Sequence, residues 1–410
     1  MAGTAKNTLE LAKSIAELVQ AVIVVKNALS SVRRLEKVAA TAGAVGAVIG
    51  VSAAIVKLAM GNVDSEELAY MKEQFQIVRN QLDVISDQIK QVLWEIERST
   101  VNNQYFTIEE NLKNQFRKYM NILNAAPEFR EKQKKEFLTH FAVTKGDQNV
   151  HTLCDAVMGF SAIFGKPILE TAMGYDQRNR RFMEGLCSRL KELLCIGLIA
   201  MVGHAALTGN DVEALKREWD EKMAKVESKM TSMIDRCINE FAEQAKIDVE
   251  KLIQGKGGRD NEECASYIRD SLVEKYDWVK WSVRVYDPVW GFGNHCIIGD
   301  GNFFHFFRLN GVNAVVSYAI DPKIPLNKGL IRQLMVEKNG SKNAREVAEH
   351  VYNNLPSGHI VHVVRCYKGL WENMVHIIKC YKGLWGPCNF PDSYHFWENY
   401  SGVTLCVHST

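Results

Sequence analysis

Residues 38–56 read VAATAGAVGAVIGVSAAIV: seven Ala, five Val, three Gly, two Ile, one Thr and one Ser, with no charge among the nineteen. Arg33, Arg34 and Lys37 stand before the run, Lys57 closes it, and Asp64, Glu66 and Glu67 follow. About 20 helical residues at ~1.5 Å each cross the ~30 Å hydrocarbon layer of a bilayer. The composition pulls the other way, because Ala and Gly contribute little transfer energy and no Leu or Phe lies inside the run. Val38, Gly43, Gly46, Val48, Gly50 and Val56 mark the candidate membrane or helix-packing segment, and the Gly46–Gly50 pair lets another helix approach closely. Three readings stay open: a buried core helix, a helix that can enter a bilayer, and a permanent span.

On the N-terminal side, Leu11, Ile15, Leu18, Val22 and Val25 recur at helical spacing, so residues 9–29 form an amphipathic helix. On the C-terminal side, Gly61-Asn62 breaks the pattern, and Asp64 with Glu67 forms a capping box. Leu68, Met71, Phe75, Val78, Leu82, Ile85, Ile89, Val92 and Ile96 then alternate steps of three and four. This seam predicts one helix over 64–98, roughly 50 Å long. A second seam, through Leu215, Trp219, Met223, Val226, Met230, Met233, Cys237 and Phe241, predicts one helix over 211–254. Two seams of similar length most simply pack antiparallel on each other. Between them lies a second low-charge run, residues 193–207, too short to span comfortably and read as a buried bundle helix.

After about Tyr276 the period changes. Trp278, Lys280, Ser282 and Arg284 alternate with Val279, Trp281, Val283 and Val285, the signature of a strand. Asn310-Gly311 between two apolar runs predicts a hairpin with a type I′ turn. Helix returns over 330–350, and residues 361–371 are echoed at 375–385 as a duplicated strand-and-turn unit. The fold class is therefore mainly α: an elongated helical bundle over 1–258, with the apolar helix at 38–60, then a smaller α+β domain over 270–410.

The 50 basic and 48 acidic residues leave a formal charge of +2, so no bulk field attracts nucleic acid. No signal-peptide pattern opens the chain, which makes cytoplasmic synthesis the default; the sequence leaves secretion open. HExxH, GxSxG, Rossmann and Walker patterns are all lacking, and no catalytic residue or cofactor is expected. His362, Cys366, His376, Cys380, Cys388, His395, Cys406 and His408 are the nearest approach to a zinc site, without short CxxC knuckles. Free buried thiols are the favoured reading of the ten Cys, with zinc or a disulfide as the alternatives.

Several long strings carry a resemblance: EELAYMKEQFQIVRNQLDVISDQI, IERSTVNNQYFTIEENLKNQFRKYMNIL, THFAVTKGDQNVHTLCDAVMG, FGKPILETAMGYDQRNRRFMEGLCSRLKELLCIGLIA, YDWVKWSVRVYD and FHFFRLNGVN. Over nearly its whole length the chain resembles the rapunzel family of bony fishes. The resemblance implies a non-enzymatic developmental protein of fin and bone and brings no catalytic residues. More distantly, the layout resembles the helical part of cnidarian and cephalopod toxins thought to act on membranes. The duplicated CYKGLW unit at Cys366 and Cys380 departs from the family's single copy. Together these imply a helical domain capable of conditional membrane association, with membrane lipid or another protein as partner and oligomerisation on the membrane. The alternative is a soluble scaffold or protein-interaction module.

Overall fold

The computed structural model describes residues 52–53, 55–56, 59–61, 66–83, 87–100, 103–288, 293–338, 341, 343–365 and 386–410. The amphipathic helix expected over 9–29 falls outside them, as do Val38, Gly43, Gly46, Val48, Gly50 and Ile85. So does most of the sequence duplication, residues 366–385. Contacts divide the chain between Glu240 and Phe241, whereas the sequence placed the boundary near 258. The first unit is helical and the second mixes helices with two antiparallel sheets, a mainly α chain with a smaller α+β part.

The first unit carries α1 (Glu66–Leu82), α2 (Asp87–Arg98), α3 (Tyr105–Asn124), α4 (Pro127–Val143), α5 (Gln148–Met158), α6 (Ile168–Tyr175), α7 (Arg180–Thr208) and α8 (Val212–Asn239). Both ends of α7 carry local signals. The Asn179 side chain accepts from the Phe182 amide at 3.1 Å, and Gly209 ends the helix in the left-handed region at φ 79°. Asp211 then caps α8 by accepting from the Ala214 amide at 3.0 Å.

The first seam is not one helix. Among the described residues α1 ends at Leu82, Asp83 turns out of it, and α2 begins at Asp87; the sequence there carries neither Gly nor Pro to announce the stop. Side chains take over the freed carbonyl: Arg189 Nη1 donates to Leu82 O at 2.9 Å and Lys113 Nζ at 3.5 Å. The second seam also divides, at Glu240, because Phe241 belongs to a different core. Its ring meets Tyr276, Trp278, Trp281 and Tyr318.

Leu68, Met71, Phe75, Leu82, Val92 and Ile96 are buried, and Ile89 is half-buried against the same core. Trp219, Met223, Val226 and Met230 of the second seam are fully buried there too. The seams do not zip onto each other as expected; α1, α2 and α8 each close on α7, which also packs against α3, α4, α5 and α6. The helix α7, whose C-terminal half is the second low-charge run, is thus the hub of the bundle. Ala53, Ile55 and Val56 at the end of the first apolar run, and Ala59 just past Lys57, are helical and buried in this same core, and Ser52 is buried beside them.

The second unit carries α9 (Phe241–Gln254), α10 (Asn261–Lys275), β1 (Lys280–Tyr286), β2 (His295–Ile298), β3 (Phe303–Leu309), β4 (Val312–Ala319), α11 (Lys328–Glu337), α12 (Ala344–Asn353), β5 (His359–Arg365), β6 (His395–Tyr400) and β7 (Val403–Ser409). The helix expected over 330–350 is therefore two helices. The Asn310-Gly311 hairpin is present between β3 and β4, with φ of 49° and 80° at the two turn residues. Asn310 also caps α9, its amide donating to Ile253 O at 3.0 Å and Gln254 O at 3.1 Å.

One sheet runs β1-β4-β3 and the other β2-β5-β7-β6. Helices α9 and α10 cover the first through Val279, Trp281, Val283 and Val285. Helices α11 and α12 share a core with Val361, Val363, Leu405 and Val407 of the second. The remaining faces meet each other, with Tyr286, Val315 and Val364 packed together between them. Alternation in β1 is thus real, but its polar side does not face water. Ser282 and Arg284 are fully buried between the sheets.

Candidate functional site

In the helical unit the site is α7 itself. Its 29 residues extend about 44 Å, and residues 193–208 contain no Asp, Glu, Lys or Arg. By length and composition it is a helix that could cross a membrane, and most of its apolar stretch is buried. Small residues bring its neighbours close. A methyl on Gly203 would overlap the Tyr119 ring, and one on Gly197 would lie 2.8 Å from Leu112 Cδ2. Tyr119 then reaches past α7 to donate to Ser52 O at 2.9 Å, while Arg130 Nη1 donates to Ala59 O at 2.6 Å. Two carbonyls at the described end of the first apolar run are therefore tied to α3 and α4.

The N-terminal half of α7 is held by charge. Arg189 Nη2 pairs with Glu109 at 2.5 Å, Lys113 joins the same carboxylate at 2.9 Å, and Lys191 lies 3.6 Å from Glu227. Arg189, Lys191 and Glu227 are all buried. Burial pushes the Lys191 amine below its ordinary range, with Glu227 opposing, and pushes the Glu192 carboxyl up to about 7. Near the C-terminus the His204 ring stacks on Phe141 at 4.4 Å, and burial holds its pKa below the ordinary value.

A second constellation fills the layer between the sheets. Arg284 Nη1 donates to Ser282 Oγ at 2.9 Å and to Cys406 Sγ at 3.4 Å, and lies 3.2 Å from His408 Nε2. Its Nη2 donates to Ser317 Oγ. None of these partners is a carboxylate. Strand register explains the gathering: Ser282 stands opposite Ser317, His362 opposite Cys406, and His395 opposite His408. His395 Nε2 lies 3.7 Å from Cys406 Sγ and also interacts with the Cys388 thiol. Burial alone would raise the Cys406 thiol, but Arg284 and His395 outweigh it and bring it down to about 7. Burial likewise opposes charge on His395, yet Cys388 and Cys406 lift it to about 10. Burial, aided by Arg284, holds His362 and His408 well below the imidazole range.

Of the sequence-predicted site residues, Val56, Leu82, Trp219, Val226 and Met230 lie in the helical core, and Ile89 is packed against it. Cys388, His395, Cys406 and His408 come together, while Cys366, His376 and Cys380 lie outside the described residues. Among the described residues no group of three or more His, Cys, Asp or Glu is placed to hold a metal ion. Arg284 was not singled out, because alternation marks a strand without showing what covers its polar side. The signal was there in β7, where Cys406 and His408 also alternate with apolar residues and supply a second polar face to meet it.

A family model described as the cephalotoxin-like middle helical domain matches residues 61–258. The protein named "Protein rapunzel" from Danio rerio is 40% identical over 200 residues, which span 49% of this chain and 88% of that protein. No solved structure matches.

Proposed function

The chain belongs to the rapunzel family, and from that premise we propose a non-enzymatic, cytoplasmic protein of fin and bone development whose helical unit associates with membrane when it opens. One observation carries the membrane part: the hub of the bundle is a helix long and apolar enough to span, held in place by named side chains. The likeness to a cephalotoxin-like helical domain supports the same reading. In the closed unit, burial of α7 avoids an exposed apolar patch. In the open unit, small residues at Gly197 and Gly203 would suit packing against a sister helix in lipid. Arg189 and Lys191 stand just before the charge-free stretch, where they would meet headgroups.

The soluble scaffold reading has its own observation, the buried Arg189–Glu109 pair, which ties α7 to α3. Liposomes carrying anionic lipid and a photoactivatable, diazirine-bearing acyl chain separate the two. Full-length protein at neutral pH should acquire no lipid adduct in residues 193–208. After mild acid or low denaturant loosens the bundle, adducts should map to that stretch. Adducts confined to surface helices, with α7 demonstrably opened on the vesicles, would leave the scaffold reading in possession.

A further inference from the structure

A guanidinium fully removed from water demands an anion. Arg284 is completely buried, yet among the described residues its hydrogen-bond partners are two serine hydroxyls, an imidazole and the sulfur of Cys406. Leaving such a charge uncompensated costs several kcal/mol. Cys406 is the one partner of the four that can ionise to an anion near neutrality. A second cation-forming group, His395, stands 3.7 Å from the same sulfur and also adjoins Cys388. Cys388 is held beside β1, opposite Ser282, by an antiparallel bridge and is only half-buried.

We infer that Cys406 is kept as a thiolate by Arg284 and His395 and, with Cys388, forms a dithiol site that a hydroperoxide oxidises to a disulfide. A sulfur lone pair of Cys406 attacks one peroxide oxygen; an S–O bond forms as the O–O bond breaks. The departing alkoxide or hydroxide takes the proton held by His395. Cys388 then gives its proton to His395 and attacks the sulfenic sulfur. The S–S bond forms, and the hydroxide that leaves takes that proton as water. Two thiols are oxidised to one disulfide, and one hydroperoxide is reduced to its alcohol and water.

The environment of Cys406 sets it apart. Burial pushes Cys154 up to about 11 and Cys187 and Cys195 up to about 12, whereas the Cys406 thiol is lowered. Oxidation would also remove the counter-ion of Arg284 and so loosen the layer between the sheets.

Reduced full-length protein is treated with hydrogen peroxide, and every thiol is mapped by alkylation and mass spectrometry. The expected product is a Cys388–Cys406 disulfide, formed about tenfold faster than any oxidation at Cys154 or Cys187. In Cys388→Ser, a sulfenic acid should persist at Cys406 and be trapped by a 1,3-diketone. In His395→Asn, the pH midpoint for alkylation of Cys406 should move up by about one unit. Oxidation of Cys406 no faster than that of the other buried thiols would overturn the inference, leaving the thiolate as a structural counter-ion. A disulfide from either sulfur to Cys366 or Cys380 would overturn the pairing.

Discussion

Glu192 occupies a turn of α7 that also carries two buried cations, Arg189 and Lys191, yet its carboxyl sits high because burial outweighs the pull of Arg189. Its folded value, about 7, lies above the ordinary 4.5. The stability tied to its proton is therefore complete below pH 4.5 and is lost as the pH rises through about 7. Glu192→Gln keeps the shape and removes the titration. It should raise the melting temperature of the helical unit by about 5 °C at about pH 8 and change it little at about pH 4.5. An equal shift at both pH values would show that the side chain acts through packing rather than charge. At this scale the sequence was least informative. Nothing around Glu192 or Arg284 distinguishes them from solvated charges, because burial of one polar residue depends on which element lands above it. For Arg284 that element is β7, more than a hundred residues later in the chain.

Elements were far more legible, because three-four and two-residue periods are local. Among the described seam residues, Leu68, Met71, Phe75, Leu82, Val92 and Ile96 on one side of α7 and Trp219, Met223, Val226, Met230, Met233 and Cys237 on the other are buried as spaced, and the Asn310-Gly311 turn pairs the strands it should. What periodicity could not show was where a seam breaks. At the end of α1 the Leu82 carbonyl accepts from Arg189 and Lys113, which come from other helices and which no local period announces. Nor could it show what a seam faces, since a helix stripe specifies an apolar partner but not which one. The shared partner α7 makes two substitutions decisive. Val226→Asp puts a carboxylate into a fully buried position on α8 and should destabilise the helical unit by about 4 kcal/mol or more. Gly203→Ala asks a methyl to share space with the Tyr119 ring, and overpacking of this kind costs about 1–3 kcal/mol. Tyr119 also anchors Ser52, so this variant should expose residues 52–60 to protease before the rest of the unit. Urea midpoints within error of the parent for both variants would remove α7 from the centre of the core.

The whole chain joins two units whose polar interiors answer acid differently. In the helical unit, burial lowers His140 and His204, while the elevated Glu192 works in the opposite direction as the pH falls. In the sheet unit, burial lowers His295, His305, His362 and His408 together, with the charged neighbours of His362 being Arg284 and the other three. A depressed imidazole contributes stability above its ordinary value of 6.5 and loses it as the pH falls through the folded value, which for His305 is about 4. With its partial exposure discounted, that one residue accounts for on the order of 1–2 kcal/mol across the interval. Cys406 acts at higher pH: its thiol, lowered from 9.0 to about 7, contributes stability that is lost as the pH falls from 9.0 through about 7, so that Arg284 already faces a largely neutral thiol when the imidazoles begin to titrate. His395, lifted to about 10, stays protonated throughout and offers no compensation. Amide hydrogen exchange, corrected for intrinsic rates, should therefore show β5 and β7 losing protection between pH 6.5 and about 4 while α7 retains most of its own. His305→Asn, which cannot take the proton, should shift that loss to lower pH. If β5 and β7 keep full protection at the bottom of the range, the buried layer holds its protons off by some means other than the fold's stability, and the acid response belongs to the helical unit alone.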